Sequence, residues 1–385
     1  MPGSPAMYAH HSGSRVLAPV ALLASTLLVA CGTPNKDGTQ PFTAASSGGN
    51  ATGGSGNGGL GPATGGGGPI QIGECGLPIP ASTGAARPAG TPGNLTVLDW
   101  AGFASAVSYT FDDANSSQIA HYDELQALGV PMTFYQQSNK SSAADPIWAQ
   151  AVEDGHELGN HTKTHCHVDG CSGVTDVAAD TDACTEFLRS TFDVEPYTMA
   201  APYGDTGYAD IASSRFLVNR GVSGGSILPN SSTNPFNLPC HIPAEGAEAT
   251  ALNSVIDGAH DRGAWQLVLV HGFTGGTDGA YQPIDIDQFT GHVEHAKSLG
   301  DVWIDSVVNV AAYWRGQMAV TNAETAVDGD ATTYSWTLPD HFPPGHCLRV
   351  TVDGGTLSQG GTSLTWQEPG YYEIALDAGS LTLAP

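Results

Sequence analysis

The stretch that decides the fold is residues 106–113, which has the sequence AVSYTFDD. An apolar, β-rich run ends there in two adjacent carboxylates, Asp112 and Asp113. Because side chains alternate along a strand, both carboxylates can face one site only if the chain turns at that point. Taken alone, the pattern is as typical of a solvated acidic turn as of a functional site.

Similar β-rich runs alternate with segments of helical spacing from about residue 94 to residue 316. The predicted strands are residues 106–111, 131–135, 197–201, 216–222, 266–270 and 302–304. The predicted helices are residues 118–128, 146–153, 174–192 and 287–299. This alternation predicts an α/β fold with a parallel sheet, and the number of units favours a barrel over an open sheet. Catalytic groups should then lie just after the strands.

A second motif lies in residues 155–165, GHELGNHTKTH. His161 and His165 are four residues apart, so on a helical turn two neutral imidazoles could meet one metal ion, with Asp113 as third donor. The zinc-protease pattern HExxH would need a second histidine where Asn160 stands, four residues after His156, so that rival is excluded.

A third candidate is His271, which follows the apolar run LVLV of residues 267–270. A histidine at the carboxyl end of a buried strand favours a role in proton transfer. A purely structural histidine is the alternative.

Taken together and in this order, four motifs resemble the polysaccharide deacetylase family of chitin, peptidoglycan and acetylxylan deacetylases. They are TFDD (110–113), HTxxH (161–165), APYG (201–204) and LVH (269–271). The resemblance covers about residues 94–316 and implies a distorted (β/α) barrel. It also implies a divalent metal, usually zinc, held by Asp113, His161 and His165.

The resemblance further implies a role for three other residues. Asp112 would be the general base that activates the attacking water, and the backbone N–H of Tyr203 would help to bind the oxyanion. His271 would protonate the departing amine or alcohol. The implied function is removal of acetyl groups from a polysaccharide, with chitin-like N-acetylglucosamine polymers as first choice and an acetylxylan-type O-deacetylase as alternative.

Two departures from the family pattern bear on activity. Ala200 stands where the family has an arginine that pairs with the base, and Lys163 or Arg220 could substitute for it. The fourth motif, an Asp and a Trp that orient the catalytic histidine, is not recognisable near residues 221–225. A weakly active or inactive surface carbohydrate-binding protein is therefore a further alternative.

A serine-esterase pattern, GxSxG, also occurs at residues 221–225, with Asp257 or Asp261 and then His271 downstream. The nucleophile elbow of such enzymes needs a helix directly after the serine, here Ser223. Residues 226–232 are rich in helix breakers, so the sequence disfavours this class.

The first 93 residues do not have the composition of a folded domain. Arg15, an apolar run at residues 16–27 and the sequence LVACG at residues 28–32 resemble a bacterial lipoprotein signal, in which Cys31 is acylated; an ordinary signal peptide is the alternative. Residues 32–93 are rich in Gly, Ser, Thr and Pro, which is typical of a flexible tether. We expect an exported protein, lipid-anchored in the outer or cytoplasmic membrane of a bacterial envelope or otherwise secreted.

Cysteine count and charge limit the chemistry further. Without Cys31, six cysteines remain, and an even number in an exported chain predicts three disulfides, with a zinc–thiolate site as the rival. The chain has 12 basic and 38 acidic residues, for a net charge of −26. So few cations exclude a nucleic-acid partner and favour neutral or cationic glycans over anionic polymers.

The pattern changes again after a predicted helix at residues 307–315. Short alternating runs at residues 334–338, 347–352, 363–366 and 371–376 predict a small all-β module, a β-sandwich, over residues 317–385. Its aromatic residues have the spacing of core residues, and a sugar-stacking surface is the alternative. The predicted domains are thus 1–31, 32–93, 94–316 and 317–385.

Overall fold

A computed structural model of the protein describes residues 72, 73 and 75–385. The predicted signal peptide, Cys31 and most of the predicted tether lie outside the described residues. Among the described residues, no helix is long and apolar enough to cross a bilayer.

The strands and helices follow one another from residue 96 to residue 384. The strands are β1 (Thr96–Val97), β2 (Ser105–Phe111), β3 (Thr133–Gln136), β4 (Glu157–Asn160), β5 (Thr198–Ala200), β6 (Val218–Arg220), β7 (Trp265–Val270), β8 (Val302–Ile304), β9 (Glu324–Asp328), β10 (Ala331–Ser335), β11 (Cys347–Thr351), β12 (Thr356–Gln359), β13 (Thr362–Ser363), β14 (Tyr372–Ala375) and β15 (Ser380–Ala384). The α-helices are α1 (Ser116–Ala120), α2 (Tyr122–Ala127), α3 (Ile147–Glu153), α4 (Val177–Phe192), α5 (Tyr208–Ser213), α6 (Ala249–His260), α7 (Ile286–Ser298) and α8 (Val307–Thr321).

Seven parallel strands form a curled sheet in the order β6-β5-β4-β3-β2-β7, with β8 also paired to β2. A short segment closes the ring between its two edges: Leu238 bridges Arg220 at the end of β6, and His241 bridges Val268 in β7. The predicted distorted (β/α) barrel is confirmed. Because all barrel strands are parallel, their carboxyl ends open on one side, where the candidate residues lie.

Strand β7 illustrates why these sequences form buried strands. Its side chains alternate between two hydrophobic clusters, with Trp265, Leu267 and Leu269 in one and Val268 and Val270 in the other. A strand buried on both faces has an almost continuous apolar sequence, as this one does.

Three elements of the barrel were not predicted from the pattern. Strand β4 lacks apolar alternation and contains Gly159, and helices α5 and α6 fell in stretches without an assignment. Gly159 is needed because a Cβ there would lie 2.4 Å from the ring of Tyr135 on the neighbouring strand. This close approach is set by the barrel and leaves no periodic signal in the sequence.

The C-terminal residues form two antiparallel sheets, as predicted in outline. The orders are β1-β11-β14 and β13-β12-β15-β10-β9, so the first sheet takes a strand from before the barrel. Leu348 and Ile374 of one sheet and Leu383 of the other share a buried cluster with residues of α8. Helix α8 runs through the predicted boundary at residue 316, and the predicted domain limits stay predictions.

The aromatic residues of this module are mostly core, in keeping with their spacing. Trp336, Tyr371 and Tyr372 are buried. The guanidinium of Arg349 stacks on Tyr371 at 4.3 Å and also binds Glu373.

The prediction of three disulfides is wrong for the described residues. The structure has two, Cys75–Cys347 and Cys166–Cys171. Cys184 and Cys240 are free and buried in different hydrophobic clusters, so their thiols are not neighbours.

Candidate active site

The two carboxylates leave the barrel at the end of β2. The strand ends at Phe111, and the chain turns sharply because Asp113 and Ala114 have positive φ angles of 76° and 51°. Such a turn is needed for both carboxylates to face one site. Asp112 is buried, and Asp113 is partly exposed.

His161 and His165 follow β4 in a loop, and the helical turn that would have paired them is absent from this segment. Thr162 and His165 have positive φ angles of 61° and 55° instead. The imidazole centroids nevertheless lie 4.8 Å apart. Nε2 of His161 is 3.4 Å and Nε2 of His165 is 3.6 Å from Oδ1 of Asp113.

Asp180 of α4 holds this loop in place and was missed by the sequence analysis. Its carboxylate accepts hydrogen bonds from the backbone N–H groups of Lys163 and Thr164 and from the Thr164 hydroxyl. The backbone N–H of His165 donates to the hydroxyl of Thr162. The available signal was an acidic residue in the predicted helix after the two histidines. A single sequence does not show which helix packs against the histidine loop, so the contact could not be predicted.

Asp113, His161 and His165 fit a metal ion. One ligand atom from each lies within 4.8 Å of the other two. Nδ1 of His161 donates to the carbonyl oxygen of Ala200 at 2.8 Å, which leaves the lone pair of Nε2 directed toward the other two ligands. Two imidazoles and a carboxylate are typical donors of a catalytic zinc site.

Electrostatic effects differ among the three residues of this triad. Burial favours a raised pKa for Asp113, but the hydrogen bond and charge of His161, with Lys140 and His165, outweigh it and lower that pKa. Burial and the neighbouring His161 lower the pKa of His165 to about 4. Metal ligands must be deprotonated, so these two shifts favour binding. At His161, burial acts to lower the pKa, but the charges of Asp112 and Asp113 outweigh it and raise that pKa, which opposes binding.

Arg220 supplies the cation that position 200 lacks. Its Nη2 donates to Oδ2 of Asp112, and its guanidinium is fully buried. Ala200 of β5 and Arg220 of β6 are directly opposite one another in the parallel ladder, so their side chains leave the same face of the sheet. Of the two candidates, Lys163 and Arg220, the structure selects Arg220. The other oxygen of Asp112, Oδ1, is buried and has no hydrogen-bond partner among the described residues.

His271 lies at the end of β7 with its backbone firmly held. Its carbonyl oxygen accepts hydrogen bonds from the side-chain amides of Asn115 and Gln118, and Gln118 also donates to the carbonyl of Asp112. Nδ1 of His271 is buried without a partner among the described residues, which agrees with the unrecognisable fourth motif. Burial lowers the His271 pKa, while the charges of Asp112 and Asp113 act to raise it.

Tyr203 completes the predicted set and lies beside His165. It has a positive φ of 57° in the short turn Pro202–Gly204, and its ring packs against His165 at 4.4 Å and stacks on His167 at 4.1 Å. Asp113, Thr162, His165 and Tyr203 are thus all left-handed, and such backbone strain concentrates at functional sites.

All six predicted site residues of the barrel line one pocket of about 370 Å³. The lining residues are Asp112, Asp113, His161, His165, Ala201, Tyr203, Gly204, Val222, Ile242, His271 and Tyr281. A larger cleft of about 530 Å³ between α8 and β10 has no histidine, cysteine or aspartate in its lining. The chemistry therefore lies in the smaller pocket.

The two rival motifs are accounted for structurally. Ser223 is exposed in a loop, and the next helix, α6, begins only at Ala249, so the serine elbow is absent from this part of the chain. His156 is buried, with Nδ1 accepting from the Met132 N–H and Nε2 bonded to Gln126, so it is a structural histidine.

Comparison with known proteins shows what this chain is similar to. No curated protein matches the chain. Among solved structures, a Mycobacterium smegmatis protein described as a polysaccharide deacetylase is 17% identical, with a TM-score of 0.43, covering 60% of this chain and 95% of the other. A family 4 acetyl xylan esterase from Clostridium thermocellum, in complex with cobalt, is 17% identical with a TM-score of 0.37, covering 54% and 90%. The Bc1960 peptidoglycan N-acetylglucosamine deacetylase is 17% identical with a TM-score of 0.39, covering 56% and 89%.

The family model described as polysaccharide deacetylase matches residues 103–215. That segment contains Asp112, Asp113, His161, His165 and Tyr203, and His271 follows it in the same barrel. Five of the six candidate site residues thus lie in a segment that matches the polysaccharide deacetylase family model.

Proposed function

We propose that this protein is a metal-dependent hydrolase that removes acetyl groups from a neutral polysaccharide. One observation carries the proposal: the triad of Asp113, His161 and His165 shares a pocket with a buried carboxylate, Asp112, and a buried imidazole, His271. Ligands, base and acid are the groups that hydrolysis of an amide or ester requires.

A divalent cation bound by the triad, with zinc as first choice, would polarise the acetyl carbonyl and activate a water molecule. Asp112 takes a proton from the attacking water: its Oδ2 lies 3.7 Å from Nε2 of His161, and Arg220 holds the carboxylate in place. The backbone N–H of Tyr203 stabilises the negative charge that develops on the carbonyl oxygen. His271 gives a proton to the departing nitrogen or oxygen as its bond to the acetyl carbon breaks, which yields acetate and a free amine or hydroxyl.

The charge of the chain supports a neutral substrate. Residues 94–316 carry a net charge of −20, and residues 317–385 carry −7. Such a surface repels anionic polymers and tolerates both neutral glycans and the cationic amines that deacetylation of N-acetylglucosamine creates. A chitin-like N-acetylglucosamine polymer is our first choice, and an acetylxylan-type ester substrate is the second.

We place the protein in a bacterial cell envelope. The support is the sequence around Cys31, which we propose as the lipidation site, and the Gly/Ser/Thr/Pro-rich segment that follows it. Lipidation would leave the catalytic domain tethered to the membrane rather than inserted in it.

Acetate release is the direct test. Wild-type protein should release acetate from chitooligosaccharides or acetylxylan and should lose this activity in chelator. Asp112→Asn should abolish release while metal binding persists, and His161→Ala should abolish both. Full activity in either variant would exclude this mechanism.

The second candidate is a carbohydrate-binding protein with little activity. The unpartnered Nδ1 of His271 favours it, because nothing among the described residues fixes the tautomer of the acid. Protein that binds metal and glycan but releases no acetate from any acetylated glycan would establish this alternative.

A further inference from the structure

Exposed apolar side chains are concentrated at the mouth of the site pocket. Six large hydrophobic residues are exposed in the described part of the chain: Ile72, Tyr203, Val222, Leu228, Tyr281 and Val327. Three of them, Tyr203, Val222 and Tyr281, line this one pocket. Clustered exposed apolar groups mark a binding surface, whereas single ones need no explanation.

Tyr281 has the most exposed ring at this mouth, with 59% of its surface accessible. It lies in the loop after β7, and its ring meets that of His271 nearly perpendicularly, at 85° and 5.3 Å between centroids. The contact covers only part of the ring. The residue as a whole stays exposed and lines the pocket.

The loop that presents Tyr281 is firmly built. Asp278 accepts a hydrogen bond from the backbone N–H of Ser117 at the start of α1, and the N–H of Ile284 donates to the carbonyl of Gly272. Gln282, directly after Tyr281, has a positive φ of 46°, a conformation that costs free energy in a residue other than glycine. The ring is therefore held at the pocket mouth by fixed backbone.

We propose that Tyr281 is a stacking platform for the sugar ring that carries the acetyl group. The inference rests on the proposed function, because it uses His271 as the acid. The atom that His271 protonates belongs to the sugar, so that sugar must lie beside His271, where the Tyr281 ring is. The flat apolar face of a sugar ring packs well on an aromatic side chain, which also keeps its hydroxyl in water.

A second exposed ring lies on the metal-ligand side of the same pocket. Tyr203 is 56% exposed and is backed by His167, whose ring is nearly parallel to it. Two exposed rings at one pocket fit a chain of sugars rather than a single small ester. Tyr281 differs from Tyr203 in the residue that it contacts. Tyr281 touches His271, which protonates the departing sugar, whereas Tyr203 touches the metal ligand His165.

The alternative is that Tyr281 only positions the His271 ring. Kinetic constants distinguish a sugar-stacking role of Tyr281 from a role in positioning His271. Loss of a platform weakens binding and raises KM, whereas a displaced acid lowers kcat with KM unchanged.

The experiment compares Tyr281→Ala, Tyr281→Phe and Tyr281→Trp on N-acetylchitotetraose and acetylated xylotetraose. Leu228→Ala, which removes an exposed apolar side chain outside the pocket lining, is the matched control. Tyr281→Ala should raise KM roughly 2- to 10-fold, the effect of one aromatic contact, while the Phe and Trp variants stay near the wild type.

Binding is measured separately so that this inference does not depend on turnover. The dissociation constant of each oligosaccharide is determined by calorimetry in an Asp112→Asn background, or in chelator-treated wild-type protein if that variant does not fold. The Tyr281→Ala change should weaken binding by the same factor as it raises KM. An unchanged Kd, a fall in kcat alone, or no binding of either oligosaccharide overturns the inference. The absence of acetate release from wild-type protein overturns the proposed function instead.

Discussion

Moving the buried arginine from β6 to β5 tests how the base is held. The perturbation is Arg220→Ala, alone and combined with Ala200→Arg. Ala200 and Arg220 are register partners on neighbouring parallel strands, about 4.8 Å apart, and both are fully buried. A guanidinium from position 200 would leave the sheet on the same face and enter the space that the deleted arginine vacates.

The expected magnitudes follow from the burial of the pair. Removing one partner of a buried ion pair costs about 3–5 kcal/mol, so Arg220→Ala should unfold at a clearly lower denaturant concentration. A misplaced general base should lower kcat by roughly 100-fold, the lower end of what such a base contributes. The double variant should recover most of the stability and bring kcat to within about 10-fold of the wild type.

The assay is acetate release from N-acetylchitotetraose, with urea unfolding followed by fluorescence on the same samples. Lys163→Ala is the control, because Lys163 was the other residue that could have replaced the missing arginine. It should keep its activity, since its side chain is exposed. Wild-type kcat in Arg220→Ala, or a large loss in Lys163→Ala, would refute the reasoning.

Three further predictions concern the surroundings of the site. Asp180→Ala should weaken cobalt binding roughly 10- to 100-fold in a metal titration, because three hydrogen bonds to the histidine loop are lost. Asp182→Ala at the surface should leave the cobalt affinity unchanged. Equal affinities of the two variants would contradict the role of Asp180 in holding the loop. Burial raises the pKa of Glu157 above 4.5, so the wild type should lose stability as pH rises from 4.5 through the folded-state pKa. Glu157→Gln should flatten that dependence and be the more stable protein at neutral pH. Parallel Tm–pH curves for the two proteins would count against this prediction. Alkylation without reductant should label Cys184 and Cys240 only after unfolding, as peptide mapping would reveal, and labelling of either in native protein would contradict their burial.

Local sequence determined much of the barrel. Strand β7 is almost entirely apolar because both of its faces are buried, so its residues predict a strand in any context. Strand β4 could not be predicted in the same way. Its hydrogen bonds to β3 and its close approach to Tyr135 form only when the sheet is assembled, so they leave no local pattern.

The order of the motifs predicted the candidate residues but not how their side chains come together. Asp113 and His161 are 48 positions apart, and the histidine loop is shaped by positive φ angles and by Asp180 rather than by a helical turn. The cysteine count alone could not exclude a third disulfide, because an even number does not place two thiols side by side.

The sequence by itself predicted the class of fold and the candidate ligand and proton-transfer residues, and its acidity favours a neutral glycan. Only the tertiary structure decided that Arg220 replaces the missing cation and that Tyr281 lies over His271. The physical reason is the same in both cases. Residue types and their spacing along the chain reflect local periodicity and chemistry, whereas contacts across strands and loops depend on register and backbone direction, which are fixed when the whole barrel closes.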